Sequence, residues 1–270
     1  MLSLPEKFSQ ESSCPQGGIV LIDSGVGALM ISRTIQEVLP GVPLVAIGDQ
    51  LHFPYGSKDE GAIGQRIIEL AEFAVRKFDP RVIVIACNTA STFILPTLRQ
   101  RYKVPIVGVV PPIKPAAENY GGGVIAILAT RGTSKRVYLA NLISEFSLKS
   151  QVKVVACEEL ARLAELKFSG KEVRLADLRY DLGALLEVNL DSVVLGCTHF
   201  SFLRDEIRAL LGGGVEIHDP SEAVAQQVFR VYKGPKVLSC KESWFLTTSK
   251  KKYSNEKSYD LLGIDRVYCI

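Results

Sequence analysis

Four segments of this chain recur in the same order about 110 residues further on, and that duplication constrains the fold more than composition does. Residues 18–27 pair with 123–133, residues 42–49 with 152–159, residues 81–88 with 191–198, and residues 104–110 with 215–220. The offsets are about 105, 110, 110 and 111, so the register hardly drifts. Each partner is a run of β-branched and aliphatic residues, the pattern of a strand buried on both faces of a parallel sheet. Helical patterns separate the strands, which predicts right-handed β-α-β units in both halves. The expected fold is α/β: two similar parallel-sheet domains related by a pseudo-two-fold axis, with an active site in the cleft between them.

The third pair carries the chemistry. Val82-Ile83-Val84-Ile85-Ala86 runs into Cys87-Asn88-Thr89, and Val193-Val194-Leu195-Gly196 runs into Cys197-Thr198-His199. Open α/β sheets bind ligands at the carboxyl ends of their strands. A thiol therefore stands at the ligand end of each half.

Around these strands the spacing predicts helices over residues 28–39 and 92–102, and a long amphipathic one whose apolar positions run from Ile63 to Phe78. A further helical pattern opens the last stretch, and residues 244–248 (Trp-Phe-Leu-Thr-Thr) read as a strand. That stretch has no counterpart in the repeat and is expected to pack back on the first half. Prolines and glycines cluster between residues 111 and 123, which places a boundary there. The expected organisation is a flexible N-terminal extension over 1–17, a first domain of 18–112 plus 220–270, and a second domain of 113–219.

Composition narrows the class. A net charge of +3 over 270 residues offers no basic face for nucleic acid, and the lysines at 250–252 read as a solvated turn. No apolar run reaches the roughly 20 residues of a membrane span, and residues 1–13 lack the pattern of a signal peptide. Six cysteines without a C-x-x-C pair and only three histidines argue against a disulfide framework and against a metal site. A reduced, cytoplasmic protein without membrane or direct nucleic-acid partners is expected.

Two acid–base groups on opposite faces of one carbon suit inversion of a stereocentre. One removes a proton from its side and the other returns one to the far side. A thiol, with an ordinary pKa of about 8.5, needs only a modest shift for that work near neutrality. Cys14, Cys157, Cys240 and Cys269 read as inert buried residues. Asp23, ending the first strand, either caps the next helix or handles a proton beside a thiol. His199 either stabilises a thiolate or is a satisfied structural histidine. Ser24, Asn88, Thr89 and Thr198 offer donors for a carboxylate. The Asp23-Ser-Gly-Val-Gly turn is no dinucleotide fingerprint, since the third glycine is missing. No lysine stands at the converging strand ends to hold pyridoxal phosphate, so no cofactor is expected.

With those residues in view, the chain resembles the glutamate racemases, a family of the cofactor-independent aspartate/glutamate racemase superfamily. The resemblance lies in Asp23-Ser24-Gly25-Val26-Gly27, Gly48-Asp49, Pro54-Tyr55-Gly56, Cys87-Asn88-Thr89-Ala90-Ser91 and Leu195-Gly196-Cys197-Thr198-His199. It implies interconversion of L- and D-glutamate, supplying D-glutamate for peptidoglycan. Cys87 would deprotonate the D-enantiomer and Cys197 the L-enantiomer, assisted by Asp23 and His199. Asp23, Ser24, Tyr55, Gly56, Asn88, Thr89, Thr198 and His199 would contact the substrate, and Glu165 would be a further assisting acid. Small-molecule substrate aside, a homodimer is the assembly the resemblance allows. Ala28, Gln50-Leu51-His52, Phe200-Ser201 and Pro220-Ser221 depart from the family pattern without removing a proton-transfer group. Two other readings stay open on the residues: a relative acting on aspartate, another amino acid or a hydantoin, and a non-catalytic two-lobed binder of an acidic ligand.

Overall fold

The computed structural model of the protein describes residues 2, 15–119, 122–146, 149–235, 242–249 and 256–270. The strands are β1 (Ile19–Asp23), β2 (Leu44–Gly48), β3 (Val82–Ile85), β4 (Ile106–Gly108), β5 (Val124–Thr130), β6 (Gln151–Cys157), β7 (Ser192–Leu195), β8 (Glu216–His218), β9 (Trp244–Thr247) and β10 (Arg266–Cys269). They build two all-parallel sheets: a six-stranded one, β10-β9-β2-β1-β3-β4, and a four-stranded one, β6-β5-β7-β8. The inner order of the first sheet, β2-β1-β3-β4, is the order of the second. The register repeats as well. Ile22 lies opposite Ile85 and Leu128 opposite Leu195, residues that stand equally far before Cys87 and Cys197. Both halves are parallel-sheet α/β domains.

Period-two alternation gives each sheet two buried faces. On the first sheet, Val20, Ile22, Val45, Ile47, Ile83 and Ile85 pack under the amphipathic helix Glu60–Phe78. Ile19, Leu21, Leu44, Ala46, Val82 and Val84 face the helices Ala28–Val38 and Ser221–Val231. On the second sheet, Leu128, Val193 and Leu195 lie against Leu160–Phe168 and Leu175–Leu182, while Ile125, Ile127 and Val194 lie against Ile113–Asn119. Trp244 and Phe245 of β9 are fully buried in the first sheet, where each such side chain stabilises by about 2–3 kcal/mol.

Four local expectations change. The helix expected over 92–102 is shorter, Leu95–Arg101, and a separate helical turn, Asn88–Ser91, precedes it, because Pro96 suits a first helical turn and not an interior. The proline-rich stretch after residue 111, where the boundary is expected, holds a helix that the pattern did not suggest, Ile113–Asn119, with Pro115 in a first turn that needs no N–H partner. β10, which the sequence pattern did not suggest, forms an edge of the first sheet. Cys269 on that edge is half-buried, not buried.

Of the N-terminal extension expected over 1–17, only residues 2 and 15–17 are described. Gln16 and Gly17 donate to carbonyls at the end of Glu60–Phe78. Cys14, Cys240 and the lysines at 250–252 lie outside the described residues. Among the described residues no helix is long and apolar enough to cross a membrane.

Candidate active site

Cys87 and Cys197 occupy equivalent places, each the residue from which the chain turns out of a buried strand into a helical turn (Asn88–Ser91 and Thr198–Leu203). They are 7 % and 8 % exposed, and their charges feel one another across the gap between the sheets. Main-chain N–H groups of Thr89 and Ala90 point at the Cys87 sulfur. The strand-to-helix turn thus supplies partial positive charge where a thiolate would form.

Each thiol has a different neighbour. Asp23, at the end of β1 and fully buried, lies beside Cys87 and the Ser24 N–H and accepts from the backbone N–H of Ala28 at 3.1 Å through Oδ2, while its Oδ1 has no hydrogen-bond partner among the described residues. Burial raises its carboxyl from 3.8 to about 6; His199 and the Ser24 N–H pull it down, Glu165 pushes it up, and Cys87 pulls it down again. Burial, then the Asp23 charge, push the Cys87 thiol well above its ordinary value. The Asp23 carboxylate caps the start of helix Ala28–Val38 through the Ala28 N–H, and its place beside Cys87 does not exclude the proton-handling reading.

His199 sits against Cys197, with Nδ1 3.7 Å from Asp23 Oδ2 and Nε2 2.9 Å from Glu165 Oε1. Burial disfavours its charged form, but Asp23, Cys197 and Glu165 together hold its pKa well above 6.5. Phe53 tilts over the ring at 5.1 Å between centroids. Glu165 Oε1 also accepts from the Val26 N–H at 2.9 Å, so an acid of the second half grips the β1 turn of the first. Two glycines make this approach fit. A Cβ at Gly25 would run into Glu165 and His199, and one at Gly27 into Asp23, Thr198 and His199.

The remaining sequence-derived residues lie around the thiols. Asn88, Thr198 and Ser24 are buried, and the Asn88 amide and Thr198 hydroxyl have no hydrogen-bond partner among the described residues. Tyr55 is buried close to Cys87 and Asp23, with its pKa raised well above 10 first by burial, then by Asp49. Its O–H is committed to Asp49 at 3.0 Å, so it offers a substrate its ring and backbone but not its hydroxyl. Gly56 lies beside Thr130 and packs its carbonyl against Gly132.

Two residues escaped the sequence reading. Thr89 Oγ1 is 3.2 Å from Thr130 Oγ1 and 2.9 Å from Thr133 Oγ1, a cluster of hydroxyls joining the two halves beside Asn88. The repeat held the signal: residues 130–133 form the turn that matches 24–27.

The chain matches the family model for Asp/Glu/hydantoin racemases over residues 28–228. It is 42% identical over 212 residues to a glutamate racemase of Shewanella halifaxensis, covering 78% of this chain and 80% of that one. It is 40% identical over 217 residues to one of Klebsiella pneumoniae, covering 80% and 77%. The fold superposes on the Escherichia coli glutamate racemase solved with L-glutamate and the activator UDP-MurNAc-Ala, with a TM-score of 0.87, 33% identity, and coverage of 94% of this chain and 97% of that one. With two equivalent thiols at the facing ends of its paired sheets, this chain belongs to the Asp/Glu/hydantoin racemase family.

Proposed function

We propose that this protein interconverts L- and D-glutamate by two-base proton transfer at the α-carbon. The observation that carries the reading is the pair of buried thiols at equivalent strand ends, one from each half and each against its own proton-handling side chain. In the L-to-D direction Cys197 removes the α-proton from one face as Cys87 delivers its proton to the other. The carbanion between them gains and loses one C–H bond, and its configuration inverts. The reverse direction exchanges the roles. Asp23 and His199 set the protonation of the thiol each faces, and Glu165 orients His199 through Nε2. The donors of Asn88, Thr198 and the Thr89–Thr130–Thr133 cluster, with the backbone at Ser24 and Tyr55-Gly56, hold the substrate carboxylates.

Glutamate is the substrate assigned, supported by relatives above 40% identity that carry that name. We assign residues 18–112 with 220–270 and residues 113–219 as the two jaws of the site. The protein acts in the cytoplasm, where its D-glutamate feeds peptidoglycan, and a homodimer is the assembly to test by sedimentation. The direct experiment is a panel of L-amino acids followed for D-product. Glutamate should turn over at least a hundredfold faster than aspartate; turnover of aspartate alone would overturn the assignment.

A further inference from the structure

Asp49, at the end of β2, is fully buried although it belongs to neither proton-handling pair. Its carboxylate accepts from Tyr55 Oη at 3.0 Å, Arg66 Nε at 3.0 Å, Arg66 Nη2 at 2.9 Å and Thr248 Oγ1 at 2.9 Å. His52 Nδ1 lies 3.1 Å from Oδ2. A carboxylate has about four lone-pair sites, so these donors saturate it. They come from three places: the loop carrying Tyr55-Gly56, the long helix Glu60–Phe78, and the end of β9, which is 199 residues away in sequence.

Thr248 makes the connection specific. Its one hydroxyl proton goes to Asp49 Oδ1, which leaves the oxygen to accept from the Leu51 N–H at 3.1 Å. Its own N–H donates to the Gly48 carbonyl at 3.2 Å. The neighbouring Thr247 donates to Gln50 Oε1 at 2.7 Å. Two residues at the end of β9 thus hold residues 48–51 at four consecutive positions. Asp49 N–H in turn donates to the Asp23 carbonyl at 2.9 Å, which fastens the same stretch to the strand end that faces Cys87.

From this geometry we infer that Thr248 is a positioning residue: through Asp49 it fixes the loop that presents Tyr55-Gly56 to the substrate. The inference rests on the proposed function of that loop. A loop held this way binds the ground and transition states alike, so loosening it raises KM and leaves kcat nearly alone. One buried hydrogen bond to a carboxylate corresponds to about a tenfold effect.

The test compares wild type, Thr248→Val and Thr248→Ser in glutamate racemisation. Valine keeps the shape and removes the hydroxyl; serine keeps the hydroxyl. Thr248→Val should raise KM for glutamate about tenfold with kcat within about threefold, and Thr248→Ser should return KM to within about twofold of wild type. In a Tyr55→Phe background, Thr248→Val should add less than twofold, because both act through Asp49. If Thr248→Val fails to fold, Thr248→Ala takes its place. A wild-type KM in the variant, a serine variant as impaired as valine, or fully additive effects would overturn the inference while the racemase reading stands. A wild-type chain that does not racemise glutamate would overturn both.

Discussion

The two halves share strand order, register and a thiol, and they differ in nearly everything charged around that thiol. From the register, Asp23 of the first half matches Ala129 of the second, and His199 of the second matches Thr89 of the first. Each thiol therefore has one ionisable neighbour, a carboxylate for Cys87 and an imidazole for Cys197, and each neighbour's counterpart carries no charge. The same holds one strand over, where buried Asp49 matches Cys157. Among the described residues only the first sheet gains two further strands, β9 and β10, and it is the end of β9 that clamps Asp49. A glutamate between the sheets is not symmetric, having carboxylates of unequal reach. Duplicated scaffolds can place two bases on opposite faces of a carbon, but unlike neighbours are needed for the rest of such a substrate.

Removing the shared feature should cost most. Cys87→Ala and Cys197→Ala should each lower racemisation by about a thousandfold or more, within the range general acid–base groups supply. Full activity in either variant, measured by chiral chromatography, would mean that the halves are not paired bases. A smaller effect probes where the halves diverge. Gly27 matches Thr133, so one half needs an empty position where the other tolerates a side chain. Gly27→Ala should cost about a hundredfold in kcat/KM by displacing Asp23 and His199. Thr133→Ala, which removes a hydroxyl from the Thr89 cluster, should cost about tenfold, mostly in KM. Equal losses would erase the distinction.

The last effect is on stability and not on turnover. The folded Asp23 carboxyl, raised to about 6 from 3.8, binds more protons than in the unfolded chain between those values. Its contribution to stability is therefore present at low pH and is lost as pH rises from about 4 to about 6. Urea unfolding of Asp23→Asn should show the variant gaining on wild type across that window by about 3 kcal/mol, then holding level. A gap that is constant with pH would contradict the burial of that carboxyl.

What was legible in the sequence follows from the same contrast. Repetition is a local signal read twice, so the buried strands, their equivalence in the two halves, and Cys87 and Cys197 could be read from residue type and spacing. Tertiary contacts between unlike segments could not. Nothing near Thr248 points to Asp49, and nothing near Glu165 points to His199, 34 residues away on another element. Asp23 and His199 could be named, but that they lie 3.7 Å apart and share one electrostatic field is a product of closing the two sheets on each other. β10 was missed because a short, half-buried edge strand lacks the continuous apolar run that marked the others.

The central claim is that the two thiols address opposite faces of a single carbon. L-glutamate incubated with the enzyme in D2O and stopped at a few per cent conversion tests it directly. The account predicts deuterium at the α-carbon of essentially all the D-glutamate formed and almost none in the recovered L-glutamate, because the base that removes the proton is not the acid that delivers the new one. Comparable deuterium in both enantiomers at that early stage would mean that one base serves both faces, and would contradict it.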